Sequence, residues 1–255
     1  MLIAERRQQI IDLVNEQKSI RVTELSNIFS ITEETIRRDL ESLKKQGKLM
    51  RSHGGAVSIN SVDLLEVSYE ERESRKVDEK RKIAYEAVKQ VREGDKIILD
   101  ASTTAWYMAK VLPDMEMTVL TNSIKVASEL SPKKNITVIS TGGILQSKSL
   151  SYVGPLAESS FKHYHANKAF ISCKGFHLQD GISESSEQQA RVKQMMLSIS
   201  EEVYLMIDHS KFGVKAFSRY EDMDVIDYVI TDHHVKSELE RNLIEKGFQL
   251  IKTKE

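Results

Sequence analysis

A single cysteine, Cys173, occurs in 255 residues. One thiol cannot close an intrachain disulfide or supply the cysteine cluster of a structural zinc site, so stability must come from packing, and the composition suits a reducing compartment. Long apolar runs are missing too, and nothing approaches the roughly 18 to 20 residues of a membrane span. The opening Met1-Leu2-Ile3-Ala4 turns charged at Glu5-Arg6-Arg7, without a signal-peptide apolar stretch or an acid-free transit segment. The expected location is cytoplasmic, with no membrane partner. Net charge is scarce as well: 37 basic against 38 acidic side chains leave −1. Any nucleic-acid reading must therefore rest on local charge. No internal repeat or low-complexity tract is present.

What is there is a chain long enough for two domains, with 40% hydrophobic and 29% charged residues. Ile3, Ile10, Leu13 and Val14 recur at helical spacing and predict a helix from about Ala4 to Gln17. Ile20 and Val22 suit a short strand. Thr23 is expected to cap a second helix that turns Leu25, Ile28 and Phe29 inward, and Thr32 a third that runs from Glu33 to Gln46 and stops at Gly47. Lys48 to Val57, folded at His53-Gly54-Gly55, reads as a β-hairpin. Residues 59–77 are charged and free of glycine and proline, as in an inter-domain connector. From residue 78 to 255, short β-branched runs alternate with helical patterns. The runs are Lys96–Asp100, Met117–Leu120, Ile136–Ser140, Lys168–Ser172, Val203–Ile207, Tyr228–Thr231 and Phe248–Ile251. This alternation predicts an α/β domain built on a mostly parallel sheet, buried on both faces.

The third helix places Ile36, Leu40 and Leu43 on one stripe, within about 60° of one another. Arg38 then points away from the core, with Glu34 and Lys45 beside it and Thr35 and Arg37 on the flanks. Between Arg37 and Arg51 lie six basic residues, including Lys44, Lys45 and Lys48, opposed only by Asp39 and Glu41. An ordinary amphipathic helix with solvated arginines has a similar composition. The succession of helix, short helix, capped basic helix and glycine-turned hairpin within residues 1–58 separates the two, because a winged helix-turn-helix requires that order. The partner so implied is double-stranded operator DNA. Arginine suits base reading, since its planar fork bonds guanine O6 and N7 together.

The chain resembles the DeoR family of bacterial sugar-metabolism regulators. The resemblance rests on Glu5-Arg6-Arg7 with Ile10, on Val22-Thr23-Glu24-Leu25, on Thr35-Ile36-Arg37-Arg38-Asp39-Leu40 and on Arg51-Ser52-His53-Gly54-Gly55-Ala56. It continues through the second domain. It implies operator reading by Thr35, Arg37 and Arg38, with His53 and Gly54 at the tip of the wing. It also implies a sensor domain similar to ribose-5-phosphate isomerase, and repression of a carbohydrate-catabolic operon relieved by a phosphorylated sugar, with activation as the alternative.

Three hydroxyls, Ser102, Thr103 and Thr104, follow the strand ending at Leu99-Asp100 and open a helix. Taken alone, they fit a conventional N-cap as well as an anion site, where free N–H groups and the helix dipole favour a phosphate. Other strand ends tip the balance. Thr121-Asn122-Ser123, Thr141-Gly142-Gly143 and Asp208-His209-Ser210-Lys211 all fall at carboxyl ends of predicted strands, where ligands of open parallel sheets gather. Lys211 is the candidate counter-charge, although a solvated loop lysine has the same sequence signature. Glu187 and Lys193 are six residues apart on one helix and cannot face the same way; Glu187, at the helix start, is the expected acceptor for sugar hydroxyls. The resemblance adds Asp100 and Gly175 to the site, and Lys174, where the chain departs from the family, is counted with them. Ser102 replaces the family's usual glycine, and with Cys173-Lys174 it looks like a branch that handles a rhamnose-type deoxy-sugar phosphate.

An isomerase is the competing class. Aldose-ketose isomerisation needs a positioned base, and Ser172-Cys173-Lys174-Gly175 supplies no acid where isomerases cluster theirs. No catalytic residue and no cofactor is expected. His163 with His165, and His233 with His234, lack further ligands at metal-binding spacing, so no metal is expected either. Cys173 beside Lys174 reads as either a reactive thiol or a buried strand-end residue. Pairing of two modules on a two-fold operator implies a homo-oligomer, dimer or tetramer.

Overall fold

The computed structural model describes residues 3–17, 19–46, 48–52, 54–58 and 67–254. The chain divides into two compact units, Met1–Leu65 and Glu66–Glu255. The first contains α1 (Ile3–Gln17), β1 (Ser19–Arg21), α2 (Val22–Phe29), α3 (Glu33–Lys45), β2 (Leu49–Ser52) and β3 (Gly55–Ser58). Its antiparallel sheet has the order β1-β3-β2. Ile10, Val14, Leu25, Ile36, Leu40 and Leu43 make its core. This is the three-helix, hairpin-bearing module expected from the sequence.

Two local expectations are corrected. Helix α2 begins at Val22 rather than after a Thr23 cap, because Glu24 reaches back to accept the Arg21 N–H at 3.2 Å. Ile28 is 52% exposed: Val22, Leu25 and Phe29 form the inward stripe, and Ile28 lies roughly 90° round the helix from it. Thr32 does cap α3, its hydroxyl accepting the Thr35 N–H at 3.4 Å. Gly47 and His53 lie outside the described residues.

The second unit runs through α4 (Tyr69–Ser74), α5 (Val77–Val88), β4 (Lys96–Leu99), α6 (Thr103–Val111), β5 (Met117–Thr121), α7 (Ile124–Leu130) and β6 (Ile136–Ser140). It continues with β7 (Ile144–Gln146), β8 (Ser151–Val153), α8 (Pro155–Phe161), β9 (Ala166–Ile171), β10 (Gly175–His177), β11 (Gly181–Glu184) and α9 (Glu187–Ser198). It closes with β12 (Ser200–Met206), β13 (Ser218–Glu221), β14 (Tyr228–Thr231), α10 (Ser237–Glu245) and β15 (Gln249–Lys252). All seven strand runs read from the sequence enter one sheet of order β15-β14-β12-β9-β4-β5-β6. Every neighbouring pair in it is parallel.

Helices cover both faces, which is why these strands are continuous apolar runs. Ile83 of α5, Met108 of α6 and Val126 of α7 pack on one side. Phe161 of α8, Val192 and Met196 of α9 and Leu243 of α10 pack on the other. The chain proceeds outward from β4 through β5 to β6, then returns and proceeds the other way from β9 through β12 and β14 to β15. Strands β4 and β9 thus flank a topological switch point, where open parallel sheets form a crevice.

Three features went unread in the sequence. Two are small antiparallel sheets, β7-β8 and β10-β11-β13, whose strands are only three or four residues long. The third is α4. It falls within the expected connector, yet Tyr69 is completely buried in the sensor core. Residues 67–77 therefore pack with the second unit, and residues 59–66 lie outside the described residues.

Candidate DNA interface and ligand crevice

Helix α3 buries Ile36, Leu40, Leu43 and, unexpectedly, Asp39. The Asp39 carboxylate receives Arg6 at 2.7 Å and Arg7 at 2.8 Å. A nearly buried carboxylate held by two guanidinium groups ties α1 to α3 and fixes the angle of α3. Asp39 therefore does not oppose the basic surface, as its place in the sequence suggested. On the outer face Arg38 is 79% and Arg37 51% exposed, each loosely paired one turn back, with Glu34 at 3.3 Å and Glu33 at 2.6 Å. Exposed pairs of this kind contribute little and exchange readily for other anions. Lys45, Lys48 and Gly54 are exposed and Thr35 is half-buried. Arg51 is half-buried, with one guanidinium nitrogen enclosed and without a partner among the described residues.

At the switch point, Asp100 has no exposed surface. Its carboxylate accepts the N–H groups of Ser102 (3.0 Å) and Ser172 (2.9 Å) and pairs with Lys193 (3.0 Å). Lys193 also meets Glu184 at 2.5 Å and the Ser172 carbonyl. Burial alone lowers a lysine, but Asp100 and Glu184 outweigh it and hold the ammonium above its ordinary value. The expectation for Glu187 is corrected here. Glu187 is exposed and pairs with Arg191, while Gln189, Ala190, Val192 and Lys193 form the inward face of α9. The inward carboxylate is Glu184, from β11.

Ser102 caps α6 by accepting the Ala105 N–H at 3.0 Å, and Thr103 and Thr104 occupy its first turn, both nearly buried. Asn122, at the end of β5, donates to the Tyr152 carbonyl at 2.9 Å, while its own carbonyl oxygen is buried and unpartnered among the described residues. Gly142 and Gly143 follow β6 with positive φ, and a Cβ at Gly143 would lie 2.8 Å from the Val153 carbonyl oxygen. Gly175 has a packing task rather than a ligand-facing one, since a Cβ there would lie 2.4 Å from the Val214 carbonyl oxygen. The Lys174 N–H donates to Ser183 at 3.0 Å. Lys211 sits in the turn His209–Lys211 after β12, capped by Asp208. It forms no ion pair among the described residues, and its positive charge acts on both Cys173 and Lys80.

The sequence missed Lys80, Glu184 and the Asp232–His209 pair. Asp232 is buried and accepts the His209 N–H (2.7 Å), its ring Nδ1 (2.9 Å) and the His234 N–H (2.9 Å). Burial raises this carboxyl, but those hydrogen bonds outweigh it and hold it below the ordinary value. Cys173 is buried and its thiol is pushed up to about 12, first by burial and then by Glu184. Of its two readings, the buried strand-end residue is the one observed.

The recognition-helix layout and the two-winged parallel sheet meet their counterparts in known proteins. Residues 6–62 match the DeoR-like helix-turn-helix domain, and residues 75–233 match the DeoR C terminal sensor domain. The chain belongs to the DeoR family. An uncharacterized HTH-type transcriptional regulator, YulB of Bacillus subtilis (strain 168), is 59% identical over 91% of this chain and 90% of its own length. The L-fucose operon activator of Haemophilus influenzae is 37% identical over 92% of this chain and 94% of its own. The HTH-type transcriptional repressor GlcR of Bacillus subtilis (strain 168) is 32% identical over 98% and 96%. A solved ribose 5-phosphate isomerase of Methanocaldococcus jannaschii overlaps 53% of this chain and 54% of its own, at 17% identity and a TM-score of 0.40. This DeoR-family protein is a DNA-binding transcription regulator and not an enzyme. No helix among its described residues is long and apolar enough to cross a membrane.

Proposed function

We propose that this DeoR-family regulator represses a carbohydrate-catabolic operon in the cytoplasm and releases its operator when a phosphorylated sugar enters the crevice between β4 and β9. In this reading Thr35, Arg37 and Arg38 meet base edges of double-stranded DNA. Lys45, Lys48, Arg51, His53 and Gly54 meet the backbone. Residues 1–58 are the reader and 78–255, with residues 67–77 packed against them, the sensor, assembled as a homo-oligomer on a two-fold operator. Ser102, Thr103, Thr104 and Lys211 hold the phosphate, and Asn122, Gly142, Gly143 and Lys174 face the sugar. Asp100 shapes the loops.

The observation that carries the sensing half is the first turn of α6. Three hydroxyl residues stand at a helix N-terminus at the switch point, with Lys211 on the same sheet edge and without an ion-pair partner among the described residues. A phosphate satisfies N–H groups, dipole and lysine together. A deoxy-sugar phosphate is favoured within that class, since two relatives are named for L-fucose, itself a deoxy sugar. Those same relatives are named activators, which supports activation as the second reading.

The test is a footprint on the DNA upstream of the protein's own gene, repeated with hexose and 6-deoxyhexose phosphates and with the unphosphorylated sugars. Loss of protection with a sugar phosphate alone is expected. Strengthened protection would favour activation, and indifference to every phosphate would reject the sensing half.

A further inference from the structure

The short helix α4 lies across the edge of the sheet where the candidate ligand residues gather. The Tyr69 N–H donates to the Lys148 carbonyl at 2.7 Å, in the turn between β7 and β8. The Tyr107 hydroxyl of α6 donates to the Glu73 carbonyl at 3.3 Å, and Lys125 of α7 stands 3.8 Å from the Glu73 carboxylate. At the other end, Lys76 Nζ lies 3.1 Å from His209 Nε2, two residues before Lys211. Helix α4, with Lys76 just beyond it, thus touches helices α6 and α7, the turn between β7 and β8 and the turn after β12. Tyr69 locks it from below, edge-on to Trp106 with ring centroids 6.5 Å apart.

The end of α4 is held in an unusual way. A helix of one and a half turns leaves almost all its carbonyls without internal donors. Lys80, from the first turn of α5, donates to the carbonyls of Arg72 and, at 2.5 Å, Arg75. Lys80 is 6% exposed and forms no ion pair among the described residues. A buried ammonium without a carboxylate partner is costly, and after burial itself the charges that act on it most are Asp208 and Lys211, in the turn assigned to the phosphate. Between the two helices Lys76 takes a left-handed backbone, φ 53°, a conformation that stores strain in a non-glycine residue. Such a joint has reason to move when its clamps change.

We propose that α4 is the strap that couples the sensor to the DNA-binding unit, and that Lys80 is the positioning residue that latches it. The inference rests on the sugar-phosphate reading above. An anion drawn to Lys211 changes the field at Lys80 and shifts the turn that carries His209, so both clamps on α4 respond to one event. Along the chain α4 is the first helix after the DNA-binding unit. Coupling requires that the ligand prefer one of two strap positions.

The test uses the full-length protein and its operator, with glucose 6-phosphate, fructose 1-phosphate and L-rhamnulose 1-phosphate as probes. Wild type should lose operator affinity about 10-fold or more with at least one probe. Lys80→Met should still bind the operator and still bind that probe by calorimetry, yet release should fall below roughly 2-fold. Lys80→Arg, which retains donors for both carbonyls, should restore release. A merely structural role would damage one of the two binding activities instead. Undiminished release in Lys80→Met overturns the latch. If no probe releases wild type, the effector reading fails, and the latch is judged by amide exchange without ligand. Faster exchange confined to residues 69–76 in Lys80→Met sustains it; unchanged exchange there overturns it.

Discussion

Lys193 Nζ stands 3.0 Å from the Asp100 carboxylate, with side-chain exposures of 8% and 0%. The ammonium has three protons, and Asp100, Glu184 and the Ser172 carbonyl give it three acceptors. Asp100 in turn holds the N–H groups of Ser102 and Ser172. One buried ion pair thereby fixes the loop after β4 against the loop after β9, the two walls of the crevice. Neither residue has surface left for a ligand, so the pair shapes the site from behind.

Lys193→Met should therefore cost about 3–5 kcal/mol of stability, because it leaves the buried Asp100 and the half-buried Glu184 carboxylates without their cation. The urea midpoint of the sensor transition checks this, and a loss under about 1 kcal/mol would mean the carboxylates find other partners. The sign with pH follows from the raised ammonium. Its contribution is fully present below the unfolded lysine value of about 10.4 and is lost as pH rises above it.

Cys173 makes a second alkaline contribution. Burial pushes its thiol up to about 12, so the folded state keeps a proton that the unfolded chain releases above about 8.5. The stability tied to that proton is whole below the unfolded value and declines between the two. Cys173→Ala should flatten the loss of stability over that window by at most about 1.4 kcal/mol per pH unit. In the native protein at pH 8 the thiol should resist alkylation until urea unfolds the chain. Rapid labelling of folded protein would contradict the buried placement.

The seven sheet strands were legible because most are short, continuous, β-branched runs, as expected of strands covered by helices on both faces. Helix α3 was legible from its stripe and from Thr32. What is not legible in the sequence depends on partners distant along the chain. Asp39 reads as a surface charge until Arg6 and Arg7 arrive from α1. Glu184 and Lys193 become a pair only when β11 and α9 meet Asp100. Glu187 stands at a helix start, but the inward face of α9 is set by Val192 and Met196 packing on the sheet. Helix α4 was hidden by its charge, since its single buried anchor is Tyr69.

Arg38 is the outermost side chain of the α3 arginine pair. Arg38→Ala should cost about 1–3 kcal/mol of operator affinity through a lost bidentate base contact, with a smaller effect on non-specific DNA. Competition binding at fixed salt separates the two. Equal weakening of both DNAs would make Arg38 a phosphate contact.

The phosphate assignment supplies the most discriminating prediction, because it links ligand chemistry to DNA release. Thr103 and Thr104 sit in the first turn of α6, where N–H groups lack helical acceptors, and Lys211 has no carboxylate to neutralise it among the described residues. Thr103→Val keeps the shape and removes one hydroxyl; Lys211→Ala removes the counter-charge. Both residues belong to the second unit and not to the DNA-binding one, so ligand-free operator affinity should stay near wild type. Release should need far more sugar phosphate, since a ligand shifts the equilibrium only by its differential affinity for two states. For release of about 100-fold the coupling is about 2.7 kcal/mol, and operator DNA must weaken sugar-phosphate binding by the same factor. Anisotropy of labelled operator, titrated with sugar phosphate for wild type and both variants after each is shown to be folded, reads all of this. The unphosphorylated sugar should release none of the three. Equal release in wild type, Thr103→Val and Lys211→Ala would place the phosphate elsewhere and remove α6 from the sensing site.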